Sequence, residues 1–280
     1  MAPVTYHIMD KMIDFTGDVV NVPDNPERII SFSPSITEIL FELGLGNNLV
    51  GVSAFCARPR ETSGIRKVGS YGSARMEVLR ELKPDLIMTI SGFQSEFSAR
   101  LKKEFTVFNF ELPSSVAGIV DLVSKVGVVV NRSDEARLME FELLKIISGL
   151  RRHTRIRGYY EIDLGGPVTF GSESYITDAL EILGISTPYW DRKKEWIEPD
   201  FDQVKYFDPE LIIYEPKMYQ SVDDSTVLGL MKKRGWDGIT AMRQGHLFKT
   251  PGKLDFFAHH GPSFIRNVLP WTVNILDGLF

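Results

Sequence analysis

Four kinds of residue in this chain could do chemistry: a histidine pair, a lone cysteine, hydroxyls at two strand-to-helix junctions, and aromatic rings in predicted loops. His259-His260 follows Asp255-Phe256-Phe257-Ala258 and invites a metal reading. Adjacent residues on a helix or strand point in different directions, so two neighbouring imidazoles rarely share an ion unless a loop bends them together. His7, His153 and His246 stand at no metal-ligand spacing. No bare-metal site is therefore expected, and His259 and His260 are candidates for ligand contact or polar lining of a cleft. Cys56 is the only cysteine, which rules out a CxxC pair and a disulfide within the chain. It is expected as a small half-buried residue, not a nucleophile. The chain has no GxSxG elbow, and no acidic pair has a spacing that assigns general acid and base, so no catalytic residue is expected. GxGxxG and GxxxxGK[ST] are missing too, which leaves nucleotide binding without a motif.

Ser33-Pro34-Ser35 and Gly171-Ser172-Glu173-Ser174 each follow a predicted strand and open a predicted helix, with Ser35 and Glu38 at capping-box spacing. A helix N-terminus carries unpaired, partly positive N–H groups, so Ser33, Ser35 and Ser172 are candidates to face a ligand. Phe55, Tyr71, Phe93, Tyr189, Trp190, Trp196, Phe256 and Phe257 fall in predicted loops. Tyr71 and Trp196 each precede a short helix at matching distance, so in a two-lobed protein they would approach a shared cleft from opposite sides. That would clamp a large, flat or greasy ligand. Arg58, beside Phe55, could pair with an anionic group on such a ligand.

The elements that must hold these residues alternate. A hairpin is expected over 4–22. Next come strand 28–32, a helix from 33 ending at Gly44 or Gly46, strand 49–52, a helix near 76–82 and strand 85–90. Residues 116–152 read as helix without strand signals, with Ser133 a candidate N-cap. Alternation then resumes with strand 159–162, helices 175–183 and 202–207, strand 210–214 and a helix from about 262 to the end. Strands and helices spaced in this way imply parallel sheets with helices on their faces.

The two halves are related. ITEILFELGLG at 36–46 resembles ITDALEILGIS at 176–186, and MEVLRELKPDLIM at 76–88 resembles FDQVKYFDPELII at 201–213. Within the second pair a constant offset of 125 residues sets Tyr71 against Trp196, Glu77 against Asp202, Pro84 against Pro209 and Leu86 against Leu211. The expected architecture is two parallel-sheet α/β lobes (1–122 and 157–280) related by an internal repeat and joined by one long helix within 123–156. A length of 280 residues gives each lobe its own core, and a net charge of −5 argues against a general nucleic-acid binder. No run approaches the ~18–20 apolar residues of a membrane helix, and the first fifteen residues show no secretory signal pattern.

RIISFSPSITEILFELGLGNNLVGVSAFCARP, followed by KVGSYG and MEVLRELKPDLIM, resembles the substrate-binding proteins of ABC importers for cobalamin and iron–siderophore complexes. The resemblance is strongest over about residues 14–90. It implies two lobes on a rigid helical backbone, a shallow cleft between them, and delivery of the bound chelate to a permease dimer. It also implies that Glu77 and Asp202 dock onto arginine pockets of that permease, and that Phe55, Tyr71 and Trp196 surround the ligand. Relatives that bind bare ions carry a histidine where this chain has Ser33-Pro34-Ser35, so a chelated metal is expected. The function expected is capture of a corrinoid or ferric siderophore by a monomeric, non-enzymatic protein without a resident cofactor. Its location is extracytoplasmic if a signal segment was removed. If Met1 is the native start, a cytosolic corrinoid or chelate salvage protein is the alternative. A hydrolase using His259 or His260 is the third.

Overall fold

The computed structural model describes residues 9–150 and 155–279, and the chain divides into two units. The first comprises Met1–Leu112 and Val120–Leu144, the second Pro113–Ile119 and Lys145–Phe280.

The first unit opens on a hairpin, β1 (Met9–Ile13) and β2 (Val19–Pro23); residues 4–8 of the expected hairpin lie outside the described residues. At its turn the Asp14 carboxylate accepts from the Thr16 N–H and hydroxyl and from the Asp18 N–H. Lys102 Nζ then reaches Asp14 at 2.5 Å, Thr16 at 2.6 Å and Asp18 at 2.6 Å. Beyond it run β3 (Ile29–Ser31), α1 (Pro34–Glu42), β4 (Leu49–Ser53), β5 (Lys67–Gly69), α2 (Met76–Leu82), β6 (Leu86–Ile90), α3 (Ser95–Leu101) and β7 (Val107–Phe110). The five strands of this sheet are all parallel, in the order β5-β4-β3-β6-β7. Ile30, Phe32, Val68, Leu79, Ile87, Phe97, Leu101 and Val107 form a core between the sheet and its helices.

The helical stretch is two helices, α4 (Val116–Val129) and α5 (Ser133–Ser148), not one. The break is chemical: Asn131 takes the left-handed conformation at φ 54°, which asparagine tolerates, and Arg132 N–H bonds back to Gly127 O. A Cβ on Gly127 would collide with Ala136, so the helices approach there through small residues. The unit boundary falls inside both helices, after Ile119 and after Leu144.

The second unit contains β8 (Ile156–Asp163), β9 (Pro167–Phe170), α6 (Tyr175–Ile182), β10 (Ile185–Ser186), β11 (Trp196–Ile197), α7 (Phe201–Phe207), β12 (Leu211–Glu215), α8 (Asp224–Lys233), α9 (Thr240–Gln244), β13 (Leu247–Lys249) and, after a π turn at Phe264–Val268, α10 (Leu269–Leu279). Its sheet is mixed where a parallel one was expected. β10, β8, β12 and β13 pair parallel, but β9 runs antiparallel to β8 and β11 antiparallel to β9. The cause is the tight turn Asp163–Gly166. There Gly165 has φ 101° and the Asp163 carboxylate accepts from the N–H groups of Gly165 and Gly166.

The repeat is structural. α2 and α7 have seven residues each at the 125-residue offset. Each ends on a non-glycine residue in the left-handed region, Lys83 at φ 46° and Asp208 at φ 50°, before a proline and a fully buried strand. An arginine locks both junctions: Arg28 Nε donates to Leu82 O and Arg157 Nε to Asp208 O, both at 2.9 Å.

Candidate functional site

In open α/β sheets ligands sit beyond the carboxyl ends of parallel strands. In the first unit three such ends carry an aromatic residue: Phe55 after β4, Tyr71 after β5 and Phe93 after β6. The structure brings these rings together. Phe55 meets Tyr71 edge-on with centroids 6.4 Å apart, and Tyr71 stacks on Phe93 at 6.1 Å and 29°. Phe55 is 41% and Phe93 66% exposed, so the rings form an apolar rim open to solvent.

Local sequence shapes the rim. Tyr71 occupies the tip of a turn in which Ser70 N–H donates to Ser73 O and the two serine hydroxyls lie 2.7 Å apart. A side chain on Gly69 would collide with the Ser73 carbonyl, and one on Gly72 would come within 2.8 Å of the Phe93 ring. Both glycines are therefore required for closeness. Beneath the rings lies Gln94, fully buried and missed by sequence reasoning. Its Oε1 accepts from Ile90 N–H at 2.9 Å, while Nε2 donates to Phe32 O at 3.1 Å and Tyr71 O at 2.7 Å. Tyr71 and Phe32 stand 23 and 62 residues away, so no local pattern reveals those two bonds. Arg58 is half-buried in the loop that carries Phe55, before a cis peptide to Pro59.

Ser33 and Ser35 are not on the rim. Ser33, not Ser35, is the N-cap of α1 and makes no side-chain cap bond. Both residues are fully buried, with their hydroxyls 2.8 Å apart and bonded to each other. Two hydroxyls that satisfy one another below the surface are fastenings of the interior. Cys56 is deeper than expected, fully buried with Sγ 3.1 Å from Thr37 Oγ1 and 3.2 Å from Ser53 Oγ. Burial raises its thiol pKa, which removes the nucleophilic thiolate.

In the second unit Trp196 lies on β11 at 45% exposure, its Nε1 donating to Glu195 Oε1 at 2.5 Å. Burial raises the Glu195 carboxyl above its usual range. Ser172 is exposed and its hydroxyl donates to Arg192 O. Its neighbour Ser174 is the residue that caps α6, accepting from Ile176 N–H. Tyr189 and Phe257 belong to the interior, whereas Trp190 is exposed.

His259 and His260, the candidates for ligand contact or polar cleft lining, are both buried. Their loop is pinned from below by Glu215, whose carboxylate accepts from Phe256 N–H at 2.8 Å, Phe257 N–H at 2.7 Å and the Tyr160 hydroxyl at 3.0 Å. Burial pushes Glu215 up to about 7 despite those donors. Burial, then His259, depresses His260 to about 3, so its ring is neutral at ordinary pH, edge-on to Tyr175. Among the described residues no three His, Cys, Asp or Glu side chains gather as a metal cage. Glu77 and Asp202 are exposed in the first turns of α2 and α7.

Duplicated α/β units with an aromatic rim at strand ends have the architecture of a solute-binding protein. Residues 29–254 match the periplasmic binding protein family, and the chain belongs to it. It is 22% identical over 95% of its length to an uncharacterised ABC transporter substrate-binding lipoprotein, YvrC, of Bacillus subtilis, of which 85% is covered. A vitamin B12-binding protein of Vibrio parahaemolyticus is 22% identical over 66% of this chain and 70% of that one. Among solved structures, a possible iron-binding periplasmic solute-binding protein of Staphylococcus epidermidis superposes with a TM-score of 0.74 at 24% identity, covering 90% of this chain and 99% of its own.

Proposed function

We propose that this chain captures a metal chelate, a corrinoid or a ferric siderophore, outside the cytoplasmic membrane and hands it to an ABC importer. The observation that carries this reading is the Phe55–Tyr71–Phe93 rim. A chelate brings its own donor atoms, so its protein site has no need of imidazoles or carboxylates on the metal; it needs apolar surface for the organic shell, and rings supply that at low conformational cost. The relatives point the same way through their names, which speak of ABC transport, vitamin B12 and iron. Arg58 is the candidate partner for an anionic group on the chelate. Glu77 and Asp202, exposed and equivalent under the repeat, are the candidate docking acids.

Absorbance and mass spectrometry of the purified protein, followed by titration with cyanocobalamin and with a ferric hydroxamate, test the reading. One of the two is expected to saturate the protein at one equivalent, and Tyr71→Ala to weaken that binding while the fold is retained. Failure of both to bind overturns it.

A further inference from the structure

We propose that Gln94 is the positioning residue of the aromatic rim, presetting Tyr71 so that the stack with Phe93 exists before any ligand arrives; this rests on the rim being the binding surface. The side chain is fully buried, and all its hydrogen-bonding goes to backbone at three strand ends. It accepts from Ile90 N–H at the end of β6 and donates to Phe32 O just past β3 and to Tyr71 O in the loop after β5. The shortest of these, 2.7 Å, is the one to Tyr71. Gln94 adjoins Phe93 in sequence, so one short segment supplies both the outer ring of the stack and the clamp on its partner. The turn that carries Tyr71 is closed at its base by the Ser70 N–H bond to Ser73 O and by the pairing of Gly69 with Ala74. A carboxamide fits because the site presents two acceptors and one donor. A carboxylate would set negative charge against two carbonyl oxygens, and an apolar side chain would leave all three groups unpaired.

The test uses the full chain with 3-fluorotyrosine incorporated and 19F NMR, the Tyr71 signal being assigned by its loss in Tyr71→Phe. In Gln94→Leu the Tyr71 signal is expected to move and broaden while those of Tyr159, Tyr160 and Tyr189 in the second unit stay fixed. A purely structural role would disturb stability without singling out that ring. Gln94→Glu supplies the second arm. Protonated, its acid can accept from Ile90 N–H and donate to Tyr71 O; ionised, it still accepts but can no longer donate. Its Tyr71 signal is therefore expected to return towards the native position as pH falls, with no such change in the unsubstituted protein. Binding of whichever probe saturates the native protein, cyanocobalamin or the ferric hydroxamate, is expected to weaken by about two- to tenfold in Gln94→Leu, the cost of immobilising one side chain at the moment of binding. An unmoved Tyr71 signal in Gln94→Leu, or a pH-independent one in Gln94→Glu, overturns the proposal. The NMR arms require no ligand, so absence of chelate binding by the native protein would refute the proposed function and leave this result readable by itself.

Discussion

Phe93 and Phe55 of the rim are unequally exposed, and that inequality sets a rank order for their truncation. Transferring a whole phenylalanine side chain from water to an apolar environment is worth about 1.5–3 kcal/mol. Phe93, 66% exposed, has about two-thirds of that still to gain under a ligand, or about 1–2 kcal/mol, and Phe55, 41% exposed, about 0.6–1.2 kcal/mol. Phe93→Ala is thus expected to weaken binding about 5- to 30-fold and Phe55→Ala about 3- to 8-fold. The energy still to be gained from an exposed ring is by definition not yet invested in the fold, so Phe93→Ala should shift the unfolding free energy by less than about 1 kcal/mol. Calorimetric titration with the chelate that saturates the native protein measures the first quantity and urea unfolding the second. Equal losses, a larger loss for Phe55→Ala, or a Phe93→Ala protein that is unstable yet binds normally would refute the reasoning.

Gly69 and Gly72 should separate in the same way: Gly69→Ala collides with backbone and is expected to cost more than about 2 kcal/mol of stability in urea, whereas Gly72→Ala meets only the movable Phe93 ring and should weaken binding with the midpoint nearly unchanged. Glu215, raised to about 7, favours the fold as pH falls from 7 to 4.5, whereas His260, depressed to about 3, opposes it below 6.5. Urea unfolding across that range should therefore show Glu215→Gln losing up to about 1.4 kcal/mol per pH unit on acidification and His260→Phe gaining as much, parallel profiles being the contrary result. Reversing both Glu77 and Asp202 to lysine is expected to leave chelate capture unchanged and abolish uptake by cells that depend on this protein; normal uptake would dismiss the docking role.

Much of the fold was legible because its strongest signals are local. A short helix, a stop, a proline and an apolar strand recur at 125 residues, and α2–β6 and α7–β12 occupy the expected positions. Elements held by tertiary pairing were invisible: β11 has two residues and exists only because Phe170 and Thr169 of β9 lie beside it. Asn131 ends α4 through its backbone conformation, a signal too weak to divide an otherwise continuous helical pattern. For the site, residue type identified Phe55, Tyr71 and Phe93 as rings in loops, and the parallel order of β3–β6 gathered them. Type alone could not show that Ser33 and Ser35 face inward, that a buried acid pins the His259-His260 loop from below, or that Gln94 ties Tyr71 to two strands.

The hairpin seat has a chemical corollary. Asp14, Thr16 and Asp18 crowd oxygens in the manner of a loop built for a divalent ion, yet the centre is taken by the ammonium of Lys102, tethered to α3. A covalently attached cation can be neither chelated away nor exchanged for calcium or iron. The hairpin should accordingly hold its place in strongly chelating media.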